Sequence, residues 1–365
     1  MMSYDPDARR DTPLAQKLKA RIRCDGPITV ADYMRACLQD PEHGYYVKQP
    51  AIGRAGDFIT APEISQVFGE LIGLWCGIVW QQMGAPEAVG LVELGPGRGT
   101  LMHDALRAAR LVPGFREASS VHLVETNQHL EALQRATLGD AGRPPIWHRA
   151  PDTIPAGPML VVANEFLDTF AVVQEVLQAD VWCPRVVGVD DQNRLVFQAL
   201  GGEGLESERV PSAEKAIIRE RQSFVSVVED LAGRAGDAPV AALFVDYGHV
   251  KTAPGETLQA VRHHVAEHPL CSPGEADLTA QVDFAAFQRQ CEEVGLAVDG
   301  PLAQGEFLGR LGIVERASRL MSANPSKAHE IEMGVARLIA PQGMGSRFKA
   351  VGVRSQSLPV LPGFE

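Results

Sequence analysis

Apolar residues at positions 64, 67, 68, 71, 72, 75, 78 and 79 recur at helical spacing and predict an amphipathic helix over 64–79. Thr60 and Glu63 stand three apart just before it, the pattern of a capping box. Gly69, Gly73 and Gly77 repeat every four residues along that helix, which lets a neighbouring backbone come close. Further on, short apolar runs alternate with helical patterns. Residues 89–94 read as a strand, 101–109 as a helix, 121–125 as a strand, 130–136 as a helix and 159–163 as a third strand. Such alternation predicts βαβ units, hence an α/β fold with a parallel sheet and helices on both faces. Right-handed crossovers then set the carboxyl ends of the strands along one edge, where ligands bind.

The pattern changes after residue 163. Strands are expected at 172–177, 181–189 and 195–200, with a turn at Asp190-Asp191-Gln192-Asn193 between the last two. A helix is expected over 213–231, and 240–245 reads as another buried parallel strand. Residues 250–278, rich in Gly, Pro and His, read as loops, 281–294 as a helix and 348–353 as a last strand. At the start of the chain a polar lead precedes a short helix carrying Leu14, Leu18 and Ile22. The expected division is an N-terminal helical segment (1–85) packed on the core, a core of 86–169 and 239–365, and a mixed α/β insertion at 170–238.

Length agrees with that division, since 365 residues is about two domains at roughly 150 residues each. Thirty-four Lys and Arg against 46 Asp and Glu leave a net charge of −12, which argues against nucleic-acid binding and suits a cationic partner. Cysteines at 24, 37, 76, 183, 271 and 291 form no CxxC pair, so neither a zinc site nor a disulfide framework is expected. No apolar run reaches the roughly 18 residues of a membrane span. Asp5 and Asp7 precede any apolar run, unlike a signal or transit peptide, and the expectation is a soluble cytoplasmic protein.

The candidate chemistry sits at the strand ends. Glu93-Leu94-Gly95-Pro96-Gly97-Arg98-Gly99-Thr100 carries a buried strand into a glycine turn with a helix directly behind it. A dinucleotide fingerprint wants its third glycine five positions after the first, where this chain has Thr100. The spacing of Gly95, Gly97 and Gly99, with Glu93 two residues ahead, looks instead like motif I of class I S-adenosylmethionine-dependent methyltransferases. An acid there suits a ligand with an ammonium and a sulfonium; an NAD(P) site stays as the alternative. Glu125, at the tip of the next strand, is placed to accept hydrogen bonds from ribose hydroxyls. Asn164, Glu165 and Asp168 follow the third strand, on the same crevice. Their carboxylates could clamp a guanidinium, or the run could merely cap a helix at Asn164. Asp246 and His249 end the next strand and should rim that crevice. There is no GxSxG elbow and no metal-ligand spacing, so no metal is expected.

With these residues in view, the chain resembles the MidA-like family over about residues 27–353. The matching segments are Gly56-Asp57-Phe58-Ile59-Thr60-Ala61-Pro62-Glu63-Ile64-Ser65-Gln66, the glycine turn, Asn164-Glu165-Phe166-Leu167-Asp168, Asp246-Tyr247-Gly248-His249, Gln304-Gly305-Glu306-Phe307-Leu308, and Met344-Gly345 with Phe348-Lys349. Two stretches depart from the pattern: Ala276-Asp277-Leu278-Thr279-Ala280-Gln281 lacks a histidine at its end, and Glu125-Thr126-Asn127-Gln128 lacks a Ser-Pro pair. The resemblance implies a Rossmann-like class I methyltransferase core with S-adenosyl-L-methionine as cofactor. It further implies symmetric ω-N dimethylation of an arginine in a respiratory complex I subunit, in the cytoplasm of a bacterium or the mitochondrial matrix of a eukaryote. Glu93, Gly95, Gly97, Gly99, Glu125 and Asn164 would then hold the cofactor, Glu165 and Asp168 would orient the target, and Asp57, Phe58, Asp246 and His249 would contact the substrate. A non-catalytic, cofactor-binding assembly chaperone is the rival expectation, and an NAD(P)-dependent oxidoreductase the third.

Overall fold

The computed structural model describes residues 5, 7–48, 59–139, 144–201 and 217–365. Numbered along the chain, the long strands of its main sheet are β1 (Val89–Leu94), β2 (Ser119–Val124), β3 (Ile146–His148), β4 (Met159–Asn164), β5 (Val240–His249), β6 (Ala297–Ala303) and β7 (Phe348–Arg354). They lie in the order 6-7-5-4-1-2-3, and the two-residue strand Val282–Asp283 pairs with the end of β5. Neighbours from β3 to β5 run parallel, while β7 runs antiparallel to both β5 and β6. From β1 the chain winds outward to β2 and β3 on one side and to β4 and β5 on the other. The topological switch point, where α/β sheets bind ligands, therefore lies between β1 and β4.

One face of this sheet is covered by the helix Gln66–Gln82, which buries Phe68, Leu71, Ile72, Trp75 and Val79. A Cβ on Gly73 would stand 2.3 Å from the Ala105 carbonyl, and one on Gly69 2.7 Å from the Asp104 Cβ. The small residues thus bring this helix into backbone contact with Thr100–Ala109, the helix behind the glycine turn. The capping box is replaced by a different start. Ala61–Ile64 forms a separate short helix, Ser65 caps the longer one by accepting from the Val67 N–H at 3.3 Å, and Glu63 instead takes the Thr100 hydroxyl.

A second sheet joins Val172–Gln178, Val181–Val189, Leu195–Ala199 and Ile218–Gln222 to the N-terminal strand Ile28–Thr29. Helices Pro13–Asp25 and Val30–Gln39 bury Leu14, Leu18, Ile22, Tyr33 and Met34 against it, in a core that also takes Val172, Val187, Phe197 and Leu278. The described helices of residues 1–85 therefore do not pack as one body, because their apolar stripes meet two different sheets. Part of the expected helix over 213–231 is a strand: Ile218–Gln222 pairs with Val172–Gln178 and sets Arg219 opposite Glu175, in an ion pair of 2.7 Å. The helix there is Val225–Ala235, and 213–216 lies outside the described residues. The stretch read as loops contains a small sheet of Gln259–Arg262, Val265–Glu267 and Asp277–Thr279. No described helix is long and apolar enough to cross a membrane.

Candidate active site

The chain leaves β1 through Gly95, Gly97 and Gly99 at φ 64°, 54° and 82°, all in the left-handed region that favours glycine. Gly99 donates to the Pro96 carbonyl at 2.7 Å, closing the turn at the start of Thr100–Ala109. Between this turn and the end of β4 opens a cleft with an empty volume of about 390 Å3, lined by Thr60, Glu63, Glu93, Arg98, Asn164 and Glu165 among others. This is the switch point that the strand order picks out.

Two acceptors in the cleft lack partners. Glu93 is 3% exposed, and its Oε2 has no hydrogen-bond partner among the described residues. Burial, with the nearby Glu125 adding to it, pushes its carboxyl up to about 8. The Asn164 Oδ1 is likewise buried and unpartnered, while its Nδ2 donates to Glu165 Oε1 at 3.3 Å. Unmade bonds on buried acceptors each cost about 1–3 kcal/mol, so these atoms await a donor. A donor that also carries positive charge would satisfy both atoms and draw Glu93 into its ionised form.

Glu125, just past β2, is fixed on both oxygens. Oε1 accepts from the Asn127 N–H at 2.7 Å, and Oε2 from Gln134 Nε2 at 3.0 Å. The same Gln134 amide reaches the Gly97 carbonyl at 2.8 Å, and its Oε1 accepts from Trp147 Nε1 at 2.9 Å. Gln134 thus locks the acid to the glycine turn. Its sequence signal was a polar residue between Leu130 and Leu138 on the buried face of one helix, and the sequence reading missed it. Each Glu125 oxygen keeps a lone pair for a ribose hydroxyl. Glu125→Ala removes up to two charge-assisted hydrogen bonds of about 1.5–3 kcal/mol each, so S-adenosylmethionine affinity should fall at least roughly tenfold. Calorimetry with S-adenosylmethionine beside a ribose-lacking analogue checks the role: the analogue should lose nothing, and an equal loss excludes the ribose assignment.

Past β4 the backbone turns through Glu165 at φ 52°, a conformation that costs a non-glycine residue energy and holds its carboxyl at the cleft. Its N–H donates to the Val245 carbonyl at 2.9 Å, and its Oε1 accepts from the Ala61 N–H at 3.3 Å. Burial, then the charge of Asp246, raises this carboxyl to about 8. Asp246 itself does not reach for a substrate. Its Oδ2 accepts from the N–H groups of Phe166, Leu167 and Asp168 at 3.0, 2.8 and 3.1 Å, and its Oδ1 from Tyr247 N–H at 2.8 Å. The expected substrate contact is therefore a brace for the turn Leu167–Thr169, whose amides its carboxylate satisfies. No helix starts at Asn164, which removes the capping alternative for that residue.

His249 is also corrected. Its Nδ1 lies 2.9 Å from the Lys251 carbonyl, a bond within its own loop. Asp57 and Phe58 lie outside the described residues. Asp168 is 5% exposed, with Oδ1 unpartnered among the described residues. Burial and the charges of Asp246, Asp277 and Glu165 push its carboxyl well above the usual range. Asp277 and Tyr46 were not anticipated as site residues; the Tyr46 hydroxyl donates to Asp277 Oδ1 at 3.0 Å. Among the described residues, no three His, Cys, Asp or Glu are grouped to hold a metal ion.

The family described as S-adenosyl-L-methionine-dependent methyltransferase matches residues 71–302, from within the helix over the sheet to the edge strand β6. The chain belongs to the MidA-like family of these methyltransferases. It is 36% identical over 376 residues to the mitochondrial protein arginine methyltransferase NDUFAF7 of Mus musculus, covering 94% of this chain and 84% of that one. The Drosophila melanogaster homologue is 36% identical over 92% of this chain and 83% of its own. A COG1565 superfamily structure from Burkholderia thailandensis, solved with S-adenosyl-homocysteine bound, superposes with a TM-score of 0.81 at 26% identity, over 98% of both chains. The cofactor of this family member is S-adenosyl-L-methionine, which closes the NAD(P) alternative that the glycine turn alone left open.

Proposed function

We propose that this methyltransferase acts on arginine in a protein, dimethylating it symmetrically on the ω-nitrogens, and that its target is a respiratory complex I subunit. The observation that carries this reading is Glu165, a desolvated carboxyl on the wall of the cofactor cleft, with the buried Asp168 three residues on and like charges around both. Such a pair favours a planar cation with donors on several edges. The names of the mouse and fly relatives, protein arginine methyltransferases, support the same acceptor. A net charge of −12 suits a basic partner protein.

When bound, S-adenosylmethionine supplies a methyl group on a sulfonium and needs a well-placed nucleophile more than an acid. Glu93 and Asn164 take its ammonium, and Glu125 its ribose. Glu165 holds the guanidinium edge-on and leaves the far nitrogen facing the cleft. The Glu165 carboxylate, held against the guanidinium, is also placed to receive the proton that the methylated nitrogen gives up. Asp246 keeps the turn in place, so that Asp168 flanks the same guanidinium.

Mass spectrometry of complex I subunits from cells with and without this chain tests the proposal. Symmetric dimethylarginine at one site should disappear with the chain and return with the wild-type copy. Unchanged methylation, or return of the mark with a variant that cannot bind the cofactor, overturns it in favour of a non-catalytic assembly role.

A further inference from the structure

Three acids from two parts of the chain stand near one another past β4: Glu165, which lines the cleft, and Asp168 and Asp277, whose charges crowd it. Glu165 and Asp168 follow β4, while Asp277 arrives on the small sheet, some 110 residues later in sequence. The Ala280 N–H donates to the Asp168 carbonyl at 3.1 Å, which stitches the strand bearing Asp277 to the turn bearing Asp168. Asp168, 5% exposed, keeps an oxygen with no partner among the described residues. Tyr46 ties this region to the cofactor side. Its hydroxyl donates to Asp277 Oδ1 at 3.0 Å, and its backbone carbonyl accepts from the Asn127 side chain. Asn127 in turn donates its N–H to Glu125 Oε1 at 2.7 Å.

We propose that Asp277 is a third wall of the acceptor pocket, opposite Asp168, and that Tyr46 is the positioning residue that aims it. This inference rests on the arginine reading and adds a reason for it. A guanidinium carries five N–H donors in one plane and can engage carboxylates on more than one edge, whereas an ammonium is a compact point charge. Acids on separate elements discriminate between the two only if each is held at a fixed angle. For Asp277, the Tyr46 hydroxyl sets that angle. Because the Tyr46 carbonyl is tied to Asn127, the pocket floor also keeps its distance from the ribose acid.

The test uses adenosine carrying a guanidine on a short alkyl tether at its 5′ carbon, beside the same compound with an uncharged urea. Calorimetry on the full chain should show the wild type preferring the guanidine by at least about tenfold, as expected for charge-assisted hydrogen bonds. Asp277→Asn and Tyr46→Phe should bring the two compounds to within about threefold of each other, with S-adenosyl-homocysteine affinity unchanged. A wild type without preference overturns the arginine reading itself. A wild-type preference that both variants retain overturns the roles of Asp277 and Tyr46. Variants that lose S-adenosyl-homocysteine affinity together with the preference overturn them too, by showing that the residues only hold the fold.

Discussion

Gly97→Val is expected to abolish S-adenosylmethionine binding while the chain still folds. Gly97 sits at φ 54° in the middle of the glycine turn and lines the cleft. A β-branched residue is a steric outlier there, and forcing an L-residue into the left-handed region costs about 1–2 kcal/mol. That strain is small beside the stability of the two large cores, so the fold survives. The binding site has no such margin. The valine methyls would fill space the ligand needs, and relieving the strain would pull the Gly97 carbonyl off Gln134, held at 2.8 Å. Gln134 also fixes Glu125, so one substitution disturbs both the methionine and the ribose ends of the site. Calorimetry should detect no binding at micromolar cofactor beside a melting curve close to wild type. Retained micromolar affinity would remove this turn from the cofactor site.

The parts of this site legible in the sequence are those built by local rules. A strand, three spaced glycines and a helix are consecutive, so Glu93, Gly95, Gly97 and Gly99 come together whatever the rest of the chain does. The ends of β2 and β4 follow from the βαβ alternation, which placed Glu125 and Glu165 on the right edge. Asp246 shows where such reading stops. An acid at a strand end looks the same whether it faces a ligand or caps a turn, and its three amide partners lie 78 to 80 residues earlier. His249 fails for the opposite reason, since a contact two residues away outcompetes the crevice. Asp277 and Tyr46 were invisible because the segments that carry them are short and weakly patterned. The small sheet and the Ala280 to Asp168 bond bring Asp277 to the turn past β4. The strand Ile218–Gln222 was hidden in the same way, because its partner strand Val172–Gln178 lies some 40 residues earlier and no local period reveals that pairing.

Glu165→Gln separates chemistry from support. Glutamine keeps the size of the side chain and an acceptor for the Ala61 N–H, so the turn past β4 should persist. What disappears is the charge that orients a guanidinium and the group that accepts its proton. Methyl transfer at saturating cofactor should fall by about 10²-fold or more, the scale of losing a positioned charged group or general base. Cofactor affinity should hardly change if Glu93, Asn164 and Glu125 hold that ligand as proposed. Stability should move the other way. A carboxyl raised in the fold from 4.5 to about 8 binds its proton more tightly when folded than when unfolded. Its contribution is therefore present at low pH and lost as pH rises from about 4.5 through 8. Glutamine has no proton to lose, so the variant should melt like wild type at pH 5 and above it at pH 8. If Glu165 served only to support the turn, the pattern would differ: roughly 1 kcal/mol less stability, with turnover nearly kept. Single-turnover transfer measured beside melts at the two pH values distinguishes these outcomes, and near-wild-type transfer by the glutamine variant would take Glu165 out of the mechanism.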